Sequence, residues 1–219
     1  MNSFNTVSCA ALALVVSAGA ASAQTWPQVD GGMKHVLIAF DGTTLTSHID
    51  NTLNPEPLPL PMRTYGESYT APADVLNGKY YSSQFGFLAD GFITLDPGTA
   101  IWIEMTSATP GLEAYEGGMR MMRDMHTYNP MFGTDGSDTA WKWNGMMHHP
   151  WFAANDLGAY NADFNIYIGD ENTGAALSGY TPSTVTLEWN AVPAPGSLAV
   201  LGLGGLIATR RRRHGKEMS

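Results

Sequence analysis

The sequence predicts an all-β fold, a single β-sandwich of jelly-roll or immunoglobulin-like topology, on three observations. Short runs rich in β-branched and aromatic residues recur along residues 24–191. Gly, Pro, Asn and Thr interrupt them at short intervals, as turns between strands require. Charged residues make up 14% of the chain against 44% hydrophobic ones, enough apolar material for a core in one domain. No internal repeat and no second domain is evident, and the two ends read as processing segments.

Taken in chain order, the first element is a signal peptide over residues 1–23. Cys9 to Gly19 forms its apolar stretch, and Ala21-Ser22-Ala23 supplies a small-x-small cleavage site before Gln24. Its start carries no Lys or Arg. The only cysteine, Cys9, lies within this segment, so the mature chain is expected to have no disulfide and to depend on packing or a metal.

The strand-like runs follow as His35–Phe40, Gly86–Leu95, Ala100–Met105, Ala140–Trp143, Ala162–Ile168 and Thr184–Trp189. The last two alternate polar and apolar residues, the pattern of a strand with one buried face. Asp41-Gly42, Asp96-Pro97-Gly98 and Asp135-Gly136 read as turns. Asn54 to Pro61 has four prolines in eight residues and is expected to be an extended connection without ladder hydrogen bonds.

Charge excludes one class of partner. Of the 20 acidic residues only Glu217 lies beyond the domain, whereas five of the 11 basic ones, Arg210 to Arg213 and Lys216, lie in the tail. The domain is therefore strongly anionic, which speaks against nucleic acid.

The C-terminal order is a Pro-rich turn, Val192-Pro193-Ala194-Pro195-Gly196, then apolar Leu198–Thr209, then Arg210-Arg211-Arg212-Arg213. It resembles the PEP-CTERM sorting signal, with Val-Pro-Ala-Pro-Gly in place of the commoner Val-Pro-Glu-Pro. The resemblance implies export, processing by signal peptidase and an exosortase-type membrane enzyme, and association with exopolysaccharide. It also implies a location in the cell envelope or extracellular matrix. Twelve residues from Leu198 to Thr209 make a helix of roughly 18 Å, short of a hydrocarbon core of about 30 Å, so the stretch suits a transient anchor. The arginines favour the cytoplasmic side and leave the domain outside.

Two segments carry soft metal-ligand types, Met119-Arg-Met121-Met122-Arg-Asp-Met125-His126 and Met146-Met147-His148-His149. Thioether with imidazole suits copper(I), and imidazole with carboxylate suits zinc. At helical spacing Met119, Met122 and His126 share one face, where methionines are expected to fill gaps in the core. His35-Val-Leu-Ile, Thr46-Ser-His48-Ile-Asp50 and Met147-His148-His149-Pro-Trp151-Phe152, with Gly158-Ala-Tyr160 after them, resemble landmarks of secreted choice-of-anchor β-sandwich domains associated with zinc or manganese uptake. That resemblance implies a Zn²⁺, Mn²⁺ or copper ion held through some of His35, His48, His148 and His149. If the last two share a strand, they point to opposite faces.

Enzymatic chemistry has little support. Neither Gly-x-Ser-x-Gly nor His-Glu-x-x-His occurs, and the mature chain lacks a cysteine nucleophile. A glycosidase carboxylate pair, for example Glu104 with Glu188, is the competing reading. A non-catalytic matrix protein is thus the expectation, and a carbohydrate-binding module the alternative. Trp102, Trp141, Trp143 and Trp151 discriminate between them, since aligned exposed aromatics favour sugar stacking and buried ones are core.

Overall fold

A computed structural model of the protein describes residues 24–193. The described residues form twelve strands and three short 3₁₀ turns, with no α-helix among them. The all-β expectation therefore holds.

In the first sheet, β1 (Lys34–Phe40) pairs antiparallel with β2 (Leu45–Ile49) and parallel with β5 (Phe85–Ala89). The β1–β2 turn is closed by Asp41, whose carboxylate accepts from the backbone N–H groups of Thr43 and Thr44 at 2.9 and 2.7 Å. That is the local chemistry by which Asp-Gly favours a turn. The second sheet has the order β4 (Tyr80–Ser82), β10 (His149–Ala154), β7 (Glu113–Gly118) and β8 (Pro130–Met131). The third has the order β3 (Leu60–Met62), β12 (Ser183–Ala191), β11 (Gly158–Asp170), β6 (Thr99–Ala108) and β9 (Ala140–Trp143).

All three sheets contribute to one core. Val36 and Ile38 of β1, Phe85 and Phe87 of β5, and Phe152 of β10 share it with Ile103 of β6, Phe164 and Ile166 of β11, and Leu187 and Trp189 of β12. Alternation on β12 sends Leu187, Trp189 and Ala191 inward and leaves Thr184, Thr186 and Glu188 exposed. Aromatic rings meet edge to face, as in Phe87–Phe164 at 5.9 Å and Phe85–Trp189 at 5.3 Å. Each such side chain contributes about 1.5–3 kcal/mol by burial.

The second sheet is covered on both faces, so β10 is buried along its whole length. Phe152 and Ala154 enter the main core, while Trp151 and Ala153 enter a second cluster with Tyr69, Leu76, Tyr81, Tyr115 and Tyr128.

Two details depart from the sequence reading. The run Gly86–Leu95 is not one strand: β5 stops at Ala89, and Gly91, at φ 92°, turns the chain into a loop where Phe92 is 93% exposed. The proline-rich connection ends in ladder pairing after all, because β3 lies parallel to β12 with Pro61 opposite Asn190. Proline is tolerated there because β3 is an edge strand whose second side needs no N–H. The same connection is tied down by Lys34, fully buried, whose Nζ donates to the carbonyls of Asn54 and Glu56 at 2.9 and 2.6 Å.

Candidate functional site

The histidines are set by a corner between two sheets. His148 exchanges both backbone hydrogen bonds with Phe87 of β5, and His149 then opens β10, so the dipeptide stitches the first sheet to the second. Successive side chains on extended backbone point to opposite faces. His149 accordingly lies over Gly86 and meets His35 edge on, with ring centroids 5.2 Å apart. His148 lies instead against Trp141, ring centroids 4.4 Å apart.

Gly86 is required by this packing. A Cβ at that position would fall within 2.6 Å of three ring atoms of His149. On β1, His35 points away from Val36 and Ile38 and faces Asp50, whose N–H donates to the His35 carbonyl at 2.8 Å. His48 lies opposite Leu37 on β2 and is exposed.

The four histidines expected as ligands do not converge. His35 and His149 meet, His148 turns the other way, and His48 remains in solvent. Among the described residues no group of three or more His, Cys, Asp or Glu side chains is placed to hold a metal ion. The His35–His149 pair alone offers two imidazole donors, half of a tetrahedral zinc site. Of the four histidines expected to hold Zn²⁺, Mn²⁺ or copper, the described fold thus brings only His35 and His149 together.

Burial governs the electrostatics of these rings. His149 is fully buried, and its Nδ1 lies 3.0 and 3.1 Å from the Ser83 and Phe85 carbonyls, so the proton resides on Nδ1. Its Nε2 and both nitrogens of His35 have no hydrogen-bond partner among the described residues. Desolvation, reinforced by His35 and Arg120, pushes the His149 pKa down to about 3. Desolvation lowers His148 to about 4, with Glu116 opposing. His35 is lowered by burial, and the Asp50 carboxylate partly offsets this. A further buried ring, His126 of the methionine segment, accepts from Trp151 Nε1 at 2.9 Å and lies 3.1 Å from the Met119 carbonyl.

The methionine segment differs from its sequence reading too. No helix forms over residues 119–126; the chain makes turns there with one 3₁₀ turn at Arg123–Met125. Met119, Met121, Met122 and Met125 are exposed rather than core, while Arg120 and His126 are buried. Arg120 donates to the carbonyls of Asp30 and Gly31, and Arg123 to that of Pro27 at 2.8 Å. These bonds pull the polar heads inward and leave the thioethers outside.

The outer face of the third sheet is polar and ends in aromatics. Trp143 and Trp151 are buried, as core tryptophans are. Trp102 is half-buried, pairs with Tyr167 across β6 and β11, and donates from Nε1 to the Asp170 carbonyl at 3.2 Å. A depression of about 370 Å³ beside them is lined by Asp138, Thr139, Asn172 and Thr173 as well. Along the same face Asp163 accepts from Thr186 and Ser107 at 2.6 and 2.7 Å.

Glu104 and Glu188 also lie on this face, but they do not form a pair. Glu104 is opposite Asn165 and Glu188 opposite Asn161, on the two strands flanking β11. Strand spacings of about 4.8 Å and a rise of about 3.3 Å per residue put their Cα atoms roughly 16 Å apart. A glycosidase pair needs carboxyls about 5–9.5 Å apart.

The described residues close at the tail. Val192 donates its N–H to the Met62 carbonyl at 3.0 Å, and Pro193 is exposed. The remaining sorting-signal residues, Ala194, Pro195, Gly196 and Arg210 to Arg213, lie outside the described residues, as does the signal peptide. A scan against protein-family models finds no match to this chain, and a search of curated proteins finds none either.

Proposed function

We propose that this chain is a non-catalytic exported protein of the cell envelope or extracellular matrix. Residues 1–23 direct export and are removed by signal peptidase, and the tail from Val192 is handled by an exosortase-type membrane enzyme. The mature domain is a β-sandwich in which the first two sheets face the third across the shared core. Its topology is of the jelly-roll or immunoglobulin-like kind. The observation that supports this reading is the C-terminal order of proline turn, apolar run and four arginines, which follows directly on the last core strand. β12 ends at Ala191, and Val192 still donates its N–H to the Met62 carbonyl, directly ahead of the proline turn. A cut within the tail would leave every core strand intact.

The test is made in the native host with the full chain. Arg210 to Arg213 are replaced together by Ser, and the protein is followed by fractionation and by the mass of its mature form. Impaired processing or placement is the expected result. Unchanged processing sinks the sorting assignment, and a mature protein that retains Met1 sinks the export assignment.

A second reading, a carbohydrate-binding module associated with exopolysaccharide, is favoured by one observation. Half-buried Trp102 sits beside a polar depression on the outer sheet face, with the buried Tyr167 paired to it. Aromatic rings next to hydroxyl, amide and carboxylate groups suit sugar stacking with hydrogen bonding.

A further inference from the structure

Residues 119–126 invert the usual partition of side chains. Arg120 is 5% exposed and His126 4%, whereas Met119, Met121, Met122 and Met125 are 43%, 66%, 43% and 68% exposed. Soluble proteins bury methionine and leave arginine in water, so the inversion runs against the ordinary hydrophobic preference. It is held in place by specific bonds. Both guanidiniums are spent on backbone carbonyls of residues 27–31, and His126 is fixed between Trp151 and the Met119 carbonyl. Gly118 permits this close fit, since a Cβ there would meet the His126 ring at 3.2 Å.

Two successive backbone turns bring Met119, Met122 and Met125 close together along the chain. Met122 donates its N–H to the Met119 carbonyl at 2.8 Å, and Met125 to the Met122 carbonyl at 2.9 Å. Each such turn keeps its end Cα atoms within about 7 Å. A methionine side chain has three rotatable bonds, so sulfurs spaced this way can reach a common point.

We infer that Met119, Met122 and Met125, with Met121 beside them, form a binding site for a soft monovalent cation of the Cu(I) type. Thioether sulfur is an uncharged, polarizable donor that selects Cu(I) over hard divalent ions. A surface shaped only for apolar contact would be served equally by Leu, Ile or Phe, and residues 119–126 contain none of these. The net charge of −9 draws cations to the protein. The site uses none of the four histidines singled out in the sequence, and it does not depend on how the chain is exported.

The experiment uses the full chain carrying ¹³C-methyl methionine, titrated with Ag(I) as a redox-stable substitute for Cu(I). One equivalent should move the methyl resonances of Met119, Met121, Met122 and Met125 and leave those of buried Met62 and Met131 in place. Zn(II) should move none of them. Replacing the four by Leu keeps their size and apolarity but removes sulfur, and should weaken Ag(I) binding about tenfold or more. Four unmoved methyls in the wild-type chain, an equal response to Zn(II), or undiminished Ag(I) affinity in the Leu variant would each overturn the assignment. The wild-type spectrum gives the answer even if the Leu variant does not fold.

Discussion

Acidification from pH 7.5 to 4.5 should cost this protein about 5 kcal/mol of folding stability through two buried imidazoles. His148 and His149 have native pKa values of about 4 and about 3, well below the ordinary 6.5. Because the folded state lowers them, it favours the neutral rings. Their contribution is fully present above about pH 6.5 and is lost as pH falls toward the native values. Between those limits the unfolded chain takes up a proton at each site that the folded chain refuses. With about 1.4 kcal/mol for each tenfold change in proton activity, each histidine loses roughly 2.5 kcal/mol by pH 4.5. The carboxylates do not confound this window. Asp41, Asp50, Asp163 and Asp170 are all held below the usual carboxylate range, so their contributions are lost only at lower pH. Urea unfolding at half-unit pH steps measures the slope, and His149→Leu should reduce it, leaving the contributions of His148 and of His126 and His35, which burial also lowers. A stability that changes by less than about 1 kcal/mol across the window would refute the reasoning, because total domain stabilities are only about 5–15 kcal/mol.

Three other outcomes are expected. Gly86→Ala should destabilise the fold by about 1–3 kcal/mol by displacing the His149 ring, and a double-mutant cycle with His149→Ala should recover much of that loss; additive effects would deny the contact. His48→Ala should change stability by no more than about 0.5 kcal/mol, since the side chain is exposed. Trp102→Ala should abolish retardation of the protein in gels containing the host's exopolysaccharide if the sugar-binding reading is right; retention of binding would remove that ring from the site.

Much of the architecture was legible because its signals are local. Alternation in Ala162–Ile168 and Thr184–Trp189 marks β11 and β12, and Asp41-Gly42 marks the first hairpin through hydrogen bonds to its own neighbours. β10 was not legible as a strand. His149-Pro-Trp-Phe-Ala-Ala154 is buried on both faces and shows no period of two. β7, with Gly117 and Gly118, was missed for a related reason: its glycines make room for His126 and for the His149 carbonyl, partners that local sequence does not reveal.

The candidate site divides in the same way. Residue chemistry alone named the histidines and methionines, and backbone geometry alone predicted that His148 and His149 would diverge. Which of them meet was decided by pairing across more than 60 positions, where β5 and β10 place His149 over Gly86 and beside His35. The methionines were expected in the core because periodicity assumes that apolar residues face inward. Three carbonyls of residues 27–31 reversed that by burying Arg120 and tying down the half-buried Arg123. Composition and pattern thus determined that the chain forms strands around a core. The exposed methionines and the paired imidazoles follow from long-range hydrogen bonds and packing that only the folded chain possesses.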